Sequence, residues 1–261
     1  MRITGNGIWG EPKNIDEARA VLRRAIELGV NFIDTADSYG PEVSERLIGE
    51  TLHPYPKDLV IATKGGLTRQ GPNKWQPVGR PEYLIQQLEM SLRRLRVESI
   101  DLYQLHRIDA KVPVEESLGA LKDLQSAGKI RHVGLSEVTS EEIERANKTV
   151  HIVSVQNKYN VADRAHEKTL EYCERKNLAF IPWFPVAAGK LVQPDGPLES
   201  AAKKRGVSVA QLCIAWLLHR SPVMLPIPGT SSVGHLEENI GSAGVSLSDE
   251  EWQQIESAVK G

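Results

Sequence analysis

The sequence predicts an α/β fold, a (β/α)8 TIM barrel, on three observations. Short apolar runs alternate with amphipathic helical patterns from one end of the chain to the other. Strands that alternate with helices imply a parallel sheet with right-handed crossovers. The length, 261 residues, is that of one such barrel and is enough to bury a core without disulfides or metals. No repeat or low-complexity linker interrupts the rhythm, so residues 1–261 read as a single domain.

Asn14–Gly29 reads as the first helix. Ala18, Val21, Leu22, Ala25 and Ile26 share one face, and Gly29 is a natural stop. A strand follows over Val30–Thr35, then a helix over Ser44–His53 with Ser44 as its cap. Leu59–Lys64 is a strand. Pro81–Val97 is a helix with proline at its first position and Leu84, Leu88, Leu92 and Leu95 on its inner face. The next strand is Ile100–His106. Pro113–Ala127 is a helix closed by Gly128, Ile130–Leu135 a strand and Ser140–Asn147 a short helix. Strand Ile152–Gln156, helix His166–Lys176 and strand Leu178–Trp183 continue the pattern. Leu198–Arg205 and Ser208–His219 are helices, Met224–Ile227 a strand, and Val233–Ser242 and Ser248–Val259 the last helices. That makes seven strands. The only candidate for the eighth is the stub Met1–Thr4, so the first barrel strand is expected to be truncated or missing.

Composition narrows the function. Lys and Arg total 32 against 34 Asp and Glu, a net charge of −2, which gives no reason to expect nucleic acid or an anionic membrane as partner. The two cysteines, Cys173 and Cys213, lie in helical patterns without ligand spacing and read as inert thiols. No apolar run reaches the length of a membrane span, and no signal peptide opens the chain. A cytoplasmic protein, a monomer or weak oligomer, is expected. No clustered histidine and carboxylate ligands suggest a metal.

Gly5-Asn6-Gly7-Ile8-Trp9-Gly10 matches the dinucleotide fingerprint GxGxxG. The fingerprint requires a full strand before it and a helix beginning within it. Here four residues precede it, and Glu11-Pro12-Lys13 separate it from the helix. The better reading is a glycine-rich loop at a barrel mouth, with Trp9 walling a substrate pocket.

Four polar residues stand at or just after successive strand ends: Asp34, Tyr39, Lys64 and His106. In a barrel these ends converge on one mouth. Each alone has an ordinary explanation as a turn former, a lid aromatic, a surface charge or a satisfied polar group. Together they suit carbonyl reduction. Free tyrosine, with a pKa of about 10, is a weak acid near neutrality, and an adjacent ammonium lowers that value. Lys64 supplies the ammonium, Asp34 holds it, Tyr39 donates the proton, and His106 orients the carbonyl oxygen.

At these residues the sequence resembles the aldo-keto reductase family, nearly end to end. The resemblance runs through Phe32-Ile33-Asp34-Thr35-Ala36-Asp37-Ser38-Tyr39-Gly40, Ala62-Thr63-Lys64 and Asp101-Leu102-Tyr103-Gln104-Leu105-His106. It continues through Gly134-Leu135-Ser136, Gln156-Asn157-Lys158-Tyr159-Asn160, Ile227-Pro228-Gly229-Thr230-Ser231-Ser232 and Leu236-Glu237-Glu238-Asn239. The resemblance implies NADP(H)-dependent reduction of a small aldehyde or ketone, with Asp34, Tyr39, Lys64 and His106 as catalytic tetrad. It implies that Ser136 and Gln156 bind the nicotinamide amide and that Trp183 stacks on the ring. Phe184, Pro185 and Val186 then line the pyrophosphate, and Gly229, Thr230, Ser231, His235, Glu238 and Asn239 form the adenosine pocket. The branch it looks most similar to is bacterial and includes pyridoxal reductases.

Three departures stand out. Glu137 replaces the family's usual Asn after Ser136, exchanging a donor for an acceptor. Gly229 and His235 stand where many members carry Lys and Arg for the 2′-phosphate, and a histidine grips phosphate less tightly than arginine. The family's opening hairpin and complete first strand have no counterpart, so either the gene start lies upstream or residues are omitted. The long loop Gly65–Gly79, with Trp75, is expected to cover the mouth. With Trp9 and Phe184 it favours a flat or aromatic carbonyl compound, and the resemblance, rather than these residues, implies pyridoxal as one candidate. Two other readings compete: a non-catalytic NADPH-binding barrel that regulates a partner, and a hydrolase using Asp34 with a second carboxylate. The first is disfavoured by the complete tetrad and the second by Lys64 beside Asp34.

Overall fold

The computed structural model describes residues 3–186, 196 and 198–260, which form two compact units. The first runs to Ser154 and includes Gly229–Val233; the second comprises Val155–Pro228 and the residues from Gly234 onward.

In the first unit, α1 (Ile15–Glu27) begins where Asn14 Oδ1 accepts the Glu17 N–H (3.0 Å) and buries Ala18, Val21, Leu22 and Ala25. β1 (Phe32–Asp34), α2 (Val43–Leu52) and β2 (Val60–Gly65) follow. Then come a hairpin, β3 (Leu67–Gly71) and β4 (Lys74–Pro77), α3 (Pro81–Leu95), β5 (Ile100–Leu105), α4 (Val114–Ser126), β6 (Ile130–Ser136) and α5 (Ser140–Asn147). Pro81 opens α3, and Leu84, Leu88, Leu92 and Leu95 are buried. β1, β2, β5 and β6 pair in parallel and in chain order. Their C-terminal ends therefore lie side by side, carrying Asp34, Lys64, the residue before His106, and Ser136.

The details correct several expectations. α2 is not capped by Ser44: it starts at Val43 after Glu42, which is left-handed (φ 70°), and Ser44 lies inside it, accepting a hydrogen bond from Thr35 Oγ1 (2.7 Å). A tertiary partner has taken the hydroxyl that a cap would use. Gly65–Gly79 is not an irregular loop but carries the antiparallel β3–β4 hairpin. The Gly5–Gly10 segment is a tight turn closed by Gly5 N–H to Gly10 O (2.9 Å), in which a Cβ on Gly5 would sit 2.3 Å from Trp9 O. Its glycines serve that turn, and the helix begins only at Ile15, so the dinucleotide fingerprint is not formed. Of the expected N-terminal stub, Met1 and Arg2 lie outside the described residues, and Ile3 and Thr4 form no strand.

In the second unit the chain leaves β7 (Ile152–Gln156), which starts in the first, and continues through α6 (Glu167–Lys176), β8 (Ala179–Phe180), α7 (Glu199–Arg205), α8 (Val209–Arg220), α9 (Val233–Gly241) and α10 (Asp249–Lys260). The strand expected over Leu178–Trp183 shrinks to two residues because Pro182 has no N–H for a ladder. That expected over Met224–Ile227 is reduced to one parallel bridge, Phe180 to Met224, since Pro226 interrupts it. Trp216 stacks on Trp252 (5.6 Å) and on Tyr159 (6.0 Å) in the core of this unit. Cys173 and Cys213 are free and buried, and burial pushes both thiols up to about 12, which makes them inert. No helix among the described residues is long and apolar enough to cross a membrane.

One buried anion ties the first unit together behind the strand ends. Glu45, fully buried on α2, accepts from Thr63 Oγ1 (2.5 Å) on β2 and from Arg94 Nε (2.7 Å) on α3. Arg94→Met leaves that carboxylate buried without its cation, and unfolding in urea should show a loss of about 3–5 kcal/mol. A loss below about 1 kcal/mol, the value typical of a surface pair, would contradict this role.

Candidate active site

Asp34 ends β1 and Lys64 stands near the end of β2. The register that pairs Asp34 with Ala62 and Lys64 with Gln104 places three polar side chains together inside the sheet. Lys64 has no exposed surface, yet its ammonium donates to Asp34 Oδ1 (2.6 Å) and to Thr35 O (2.7 Å). Asp34 Oδ2 accepts from Gln104 Nε2 (2.9 Å). Burial, the largest single influence, pulls the Lys64 pKa down, but Asp34 and Tyr39 outweigh it and the net direction is up. Lys64 is therefore a fixed buried cation.

Its Nζ lies 5.3 Å from the centre of the Tyr39 ring. Tyr39 itself sits edge-on to His106 (5.8 Å) and to Trp75 (6.3 Å), and Trp75 is edge-on to His106 (6.3 Å). The four residues expected to cooperate are together, with Trp75 against them. The expectation of a lowered Tyr39 pKa is corrected. Burial raises it above 10, and Lys64 with Arg107 offsets only part of that rise, so the phenol stays protonated at neutral pH. His106 is driven well below 6.5, first by burial and then by the charges of Lys64, Arg107 and Arg69. It is a neutral imidazole. Its Nδ1 lies 3.4 Å from Ser38 Oγ, so a hydroxyl donating there leaves Nε2–H as a donor.

Two arginines escaped the sequence reading. Arg69, on β3, has its guanidinium 3.5 Å from the centre of the Trp75 ring and 5.7 Å from Trp9. It donates to the carbonyls of Lys74 (3.0 Å), Ile8 (2.6 Å), Ser38 (2.9 Å), Gly7 (2.8 Å) and Gly71 (3.2 Å). It thereby clamps the glycine-rich turn, the Tyr39 loop and the hairpin. Alternating runs around Gly71-Pro72-Asn73 were the available signal for that hairpin. Arg107 follows His106 and is half-buried. Its Nη1 donates to His106 O (2.6 Å) and to Ser136 Oγ (2.9 Å).

The residues expected to hold the cofactor lie in both units. In the first, Ser136 is buried at the end of β6 and already bonded to Arg107. Glu137 after it is left-handed (φ 57°), a conformation that asparagine adopts more readily than glutamate. Thr230 Oγ1 accepts the Ser232 N–H (3.1 Å) in the turn, with Gly229 and Ser231, that leads into α9. That helix has no acid in its first turn, which suits an anionic group, although the Val233 N–H is already held by Glu17 (3.2 Å). In the second unit Gln156 is buried, Trp183 is half-buried with its N–H on Asn157 O (3.1 Å), and Phe184 O is held by Asn160 Nδ2 (3.1 Å). Phe184 is left-handed (φ 61°), which turns the chain toward Pro185 and Val186. His235, Glu238 and Asn239 all lie on α9.

Parallel strands alternating with helices and a buried Lys–Asp pair beneath a tyrosine at the strand ends are the features of a barrel oxidoreductase. Comparison with known proteins agrees. The aldo/keto reductase family model matches residues 2–260, and the chain belongs to that family. An oxidoreductase of Schizosaccharomyces pombe is 54% identical over 256 residues, 98% of this chain and 83% of the relative. The pyridoxine 4-dehydrogenase of Escherichia coli is 39% identical over 256 residues, covering 96% of this chain and 89% of the enzyme. An aldo-keto reductase of Klebsiella pneumoniae crystallised with NADPH superposes with a TM-score of 0.83 at 27% identity, covering 98% of this chain and 88% of that one. The fold is the (β/α)8 barrel of the family, and the chain is an NADP(H)-dependent oxidoreductase that reduces carbonyl compounds.

The pKa directions have a kinetic consequence. A phenol titrating above 10 and an imidazole titrating well below 6.5 leave carbonyl reduction without an ionisation near 6.5. The kcat of reduction should be flat from pH 6 to about 9 and fall only in alkali, as the acid is lost. A limb centred near 6.5 would show that His106 charges in the working range.

Proposed function

We propose that this chain reduces a small, flat aldehyde or ketone, pyridoxal among them, with Tyr39 as the proton donor. The observation that carries the reading is the buried Lys64 ammonium, held by Asp34 and set beneath the Tyr39 ring. The nicotinamide supplies the hydride to the carbonyl carbon. His106 Nε2–H holds the carbonyl oxygen next to the phenol. As that oxygen gains charge, Tyr39 gives up its proton, and Lys64 stabilises the tyrosinate that results. Trp75 and Trp9, fixed through Arg69, wall the substrate side and favour a planar compound. Similarity to a pyridoxine 4-dehydrogenase supports pyridoxal as the first substrate to try.

For the cofactor, Ser136 and Gln156 hold the carboxamide and Trp183 faces the ring. Phe184, Pro185 and Val186 present backbone along the pyrophosphate. Gly229, Thr230, Ser231, His235, Glu238 and Asn239 take the adenosine end. A monomer or weak oligomer working in the cytoplasm is consistent with the two buried free thiols.

Tyr39→Phe should lower kcat by at least about a hundredfold, the usual worth of a general acid, while NADPH still quenches protein fluorescence with unchanged affinity. Turnover within a few-fold of the parent would remove Tyr39 from the chemistry. His235→Ala should weaken NADPH more than NADH in the same titration; equal losses would show that His235 does not read the 2′-phosphate.

A further inference from the structure

The arginines most withdrawn from solvent in this protein are nearly all matched to anions. Arg94 is paired with Glu45 (2.7 Å), Arg220 with Glu174 (3.0 Å) and Arg205 with Glu251 (2.5 Å). Arg69 has no carboxylate but spends its three nitrogens on five carbonyls. Arg107 is different. It is half-buried, no carboxylate among the described residues lies within salt-bridge distance, and both of its hydrogen bonds come from one nitrogen, Nη1. Nε and Nη2 make none to the described residues, and neither is among the buried side-chain atoms lacking a partner. Glu137 acts on the guanidinium only through its field.

The two bonds that Arg107 makes fix its place. One holds it to the backbone of His106, the other to Ser136 at the neighbouring strand end. The charge is felt at both Tyr39 and His106. A planar guanidinium anchored along one edge, with N–H groups open on the other, is the geometry that receives a carboxylate or phosphate with two hydrogen bonds. It stands beside the groups assigned to the carbonyl, so its ligand is a second group on the same substrate. An uncharged carbonyl compound leaves the half-buried cation with only the field of Glu137 opposite it, and an anionic one supplies a direct partner.

We propose that Arg107 is the specificity-determining residue for carbonyl substrates that carry an anionic oxygen group, a carboxylate or a phosphate, on the molecule being reduced. The proposal deepens the reading of the site as a carbonyl reductase and rests on it.

The test compares matched pairs: 4-carboxybenzaldehyde with its methyl ester, and pyridoxal 5′-phosphate with pyridoxal. The parent protein should favour the anionic member of at least one pair in kcat/KM, and the pair showing it separates carboxylate from phosphate. In Arg107→Met that preference should fall by about tenfold to a hundredfold, the worth of one or two charge-assisted hydrogen bonds, carried mainly by KM. Arg107→Lys should retain part of it, keeping the charge and losing the fork. A parent that prefers the neutral member of both pairs overturns the proposal, and that result needs no variant to fold. So does an equal loss on both members of each pair. So does a loss of NADPH affinity, read by fluorescence titration, larger than the loss of preference, which assigns Arg107 to the cofactor. Absence of turnover with every aldehyde in the parent would instead refute the reductase reading beneath it.

Discussion

The whole site depends on keeping one ammonium group charged inside the sheet. Removing a cation from water costs several kcal/mol even after the protein relaxes, and only close, well-placed partners repay it. Lys64 has them in Asp34 and the Thr35 carbonyl, and Gln104 in turn occupies the second oxygen of Asp34. Lys64 and these partners come from three strands or their ends, β1, β2 and β5. They meet because β1, β2 and β5 run parallel in a register that sets Lys64 against Gln104. A slip by one residue would turn Lys64 to the other face and separate it from both. Strand register and catalytic charge are thus the same constraint.

The ammonium does not act by ionising the tyrosine in advance. Burial raises the Tyr39 pKa by more than Lys64 lowers it. In the resting protein the phenol is therefore protonated, the form that the proposed donor role requires. In the proposed reaction the value of Lys64 lies in stabilising the tyrosinate left when the proton departs, since the cation is already in place. Burial first, and then the charges of Lys64, Arg107 and Arg69, hold His106 neutral, which suits the proposed role of a hydrogen-bond donor that does not compete for the proton. An acid and a donor of different chemistry are obtained from one electrostatic environment.

How much of this was legible in the sequence differs by region. Helices with a clear apolar stripe and a cap or stop, such as α1 and α3, appear within a few residues of where periodicity puts them. The failures have local causes. Pro182 and Pro226 lie in apolar runs that read as strands but lack the N–H a ladder needs. Ser44 was read as a cap, whereas Thr35 uses its hydroxyl. The β3–β4 hairpin was hidden because its alternation is built from polar residues, Thr68, Arg69, Gln70 and Gln76, rather than from an apolar face. Arg69 and Arg107 were missed for a related reason. An arginine in a strand or a loop is ordinarily a surface charge, and only tertiary structure shows which one is clamped between two tryptophans or left open beside a histidine.

The catalytic residues were legible because one short segment carries an unusual share of the structure's obligations. Asp34 holds Lys64. Thr35 offers its carbonyl to Lys64 and its hydroxyl to Ser44. The Asp37 N–H is spent on Lys64 O and its carbonyl on the Glu42 N–H, while its carboxyl, buried with no hydrogen bond of good geometry, is raised well above the ordinary range, first by burial and then by the charge of Glu45. Ser38 meets His106 with its hydroxyl and Arg69 with its carbonyl, and Gly40 O receives the Gly10 N–H. Tyr39, in the middle, is held by its neighbours on every side. A buried acid without a well-formed hydrogen bond is a standing liability to stability, and here it sits two residues from the proposed proton donor, in the segment that carries the candidate site.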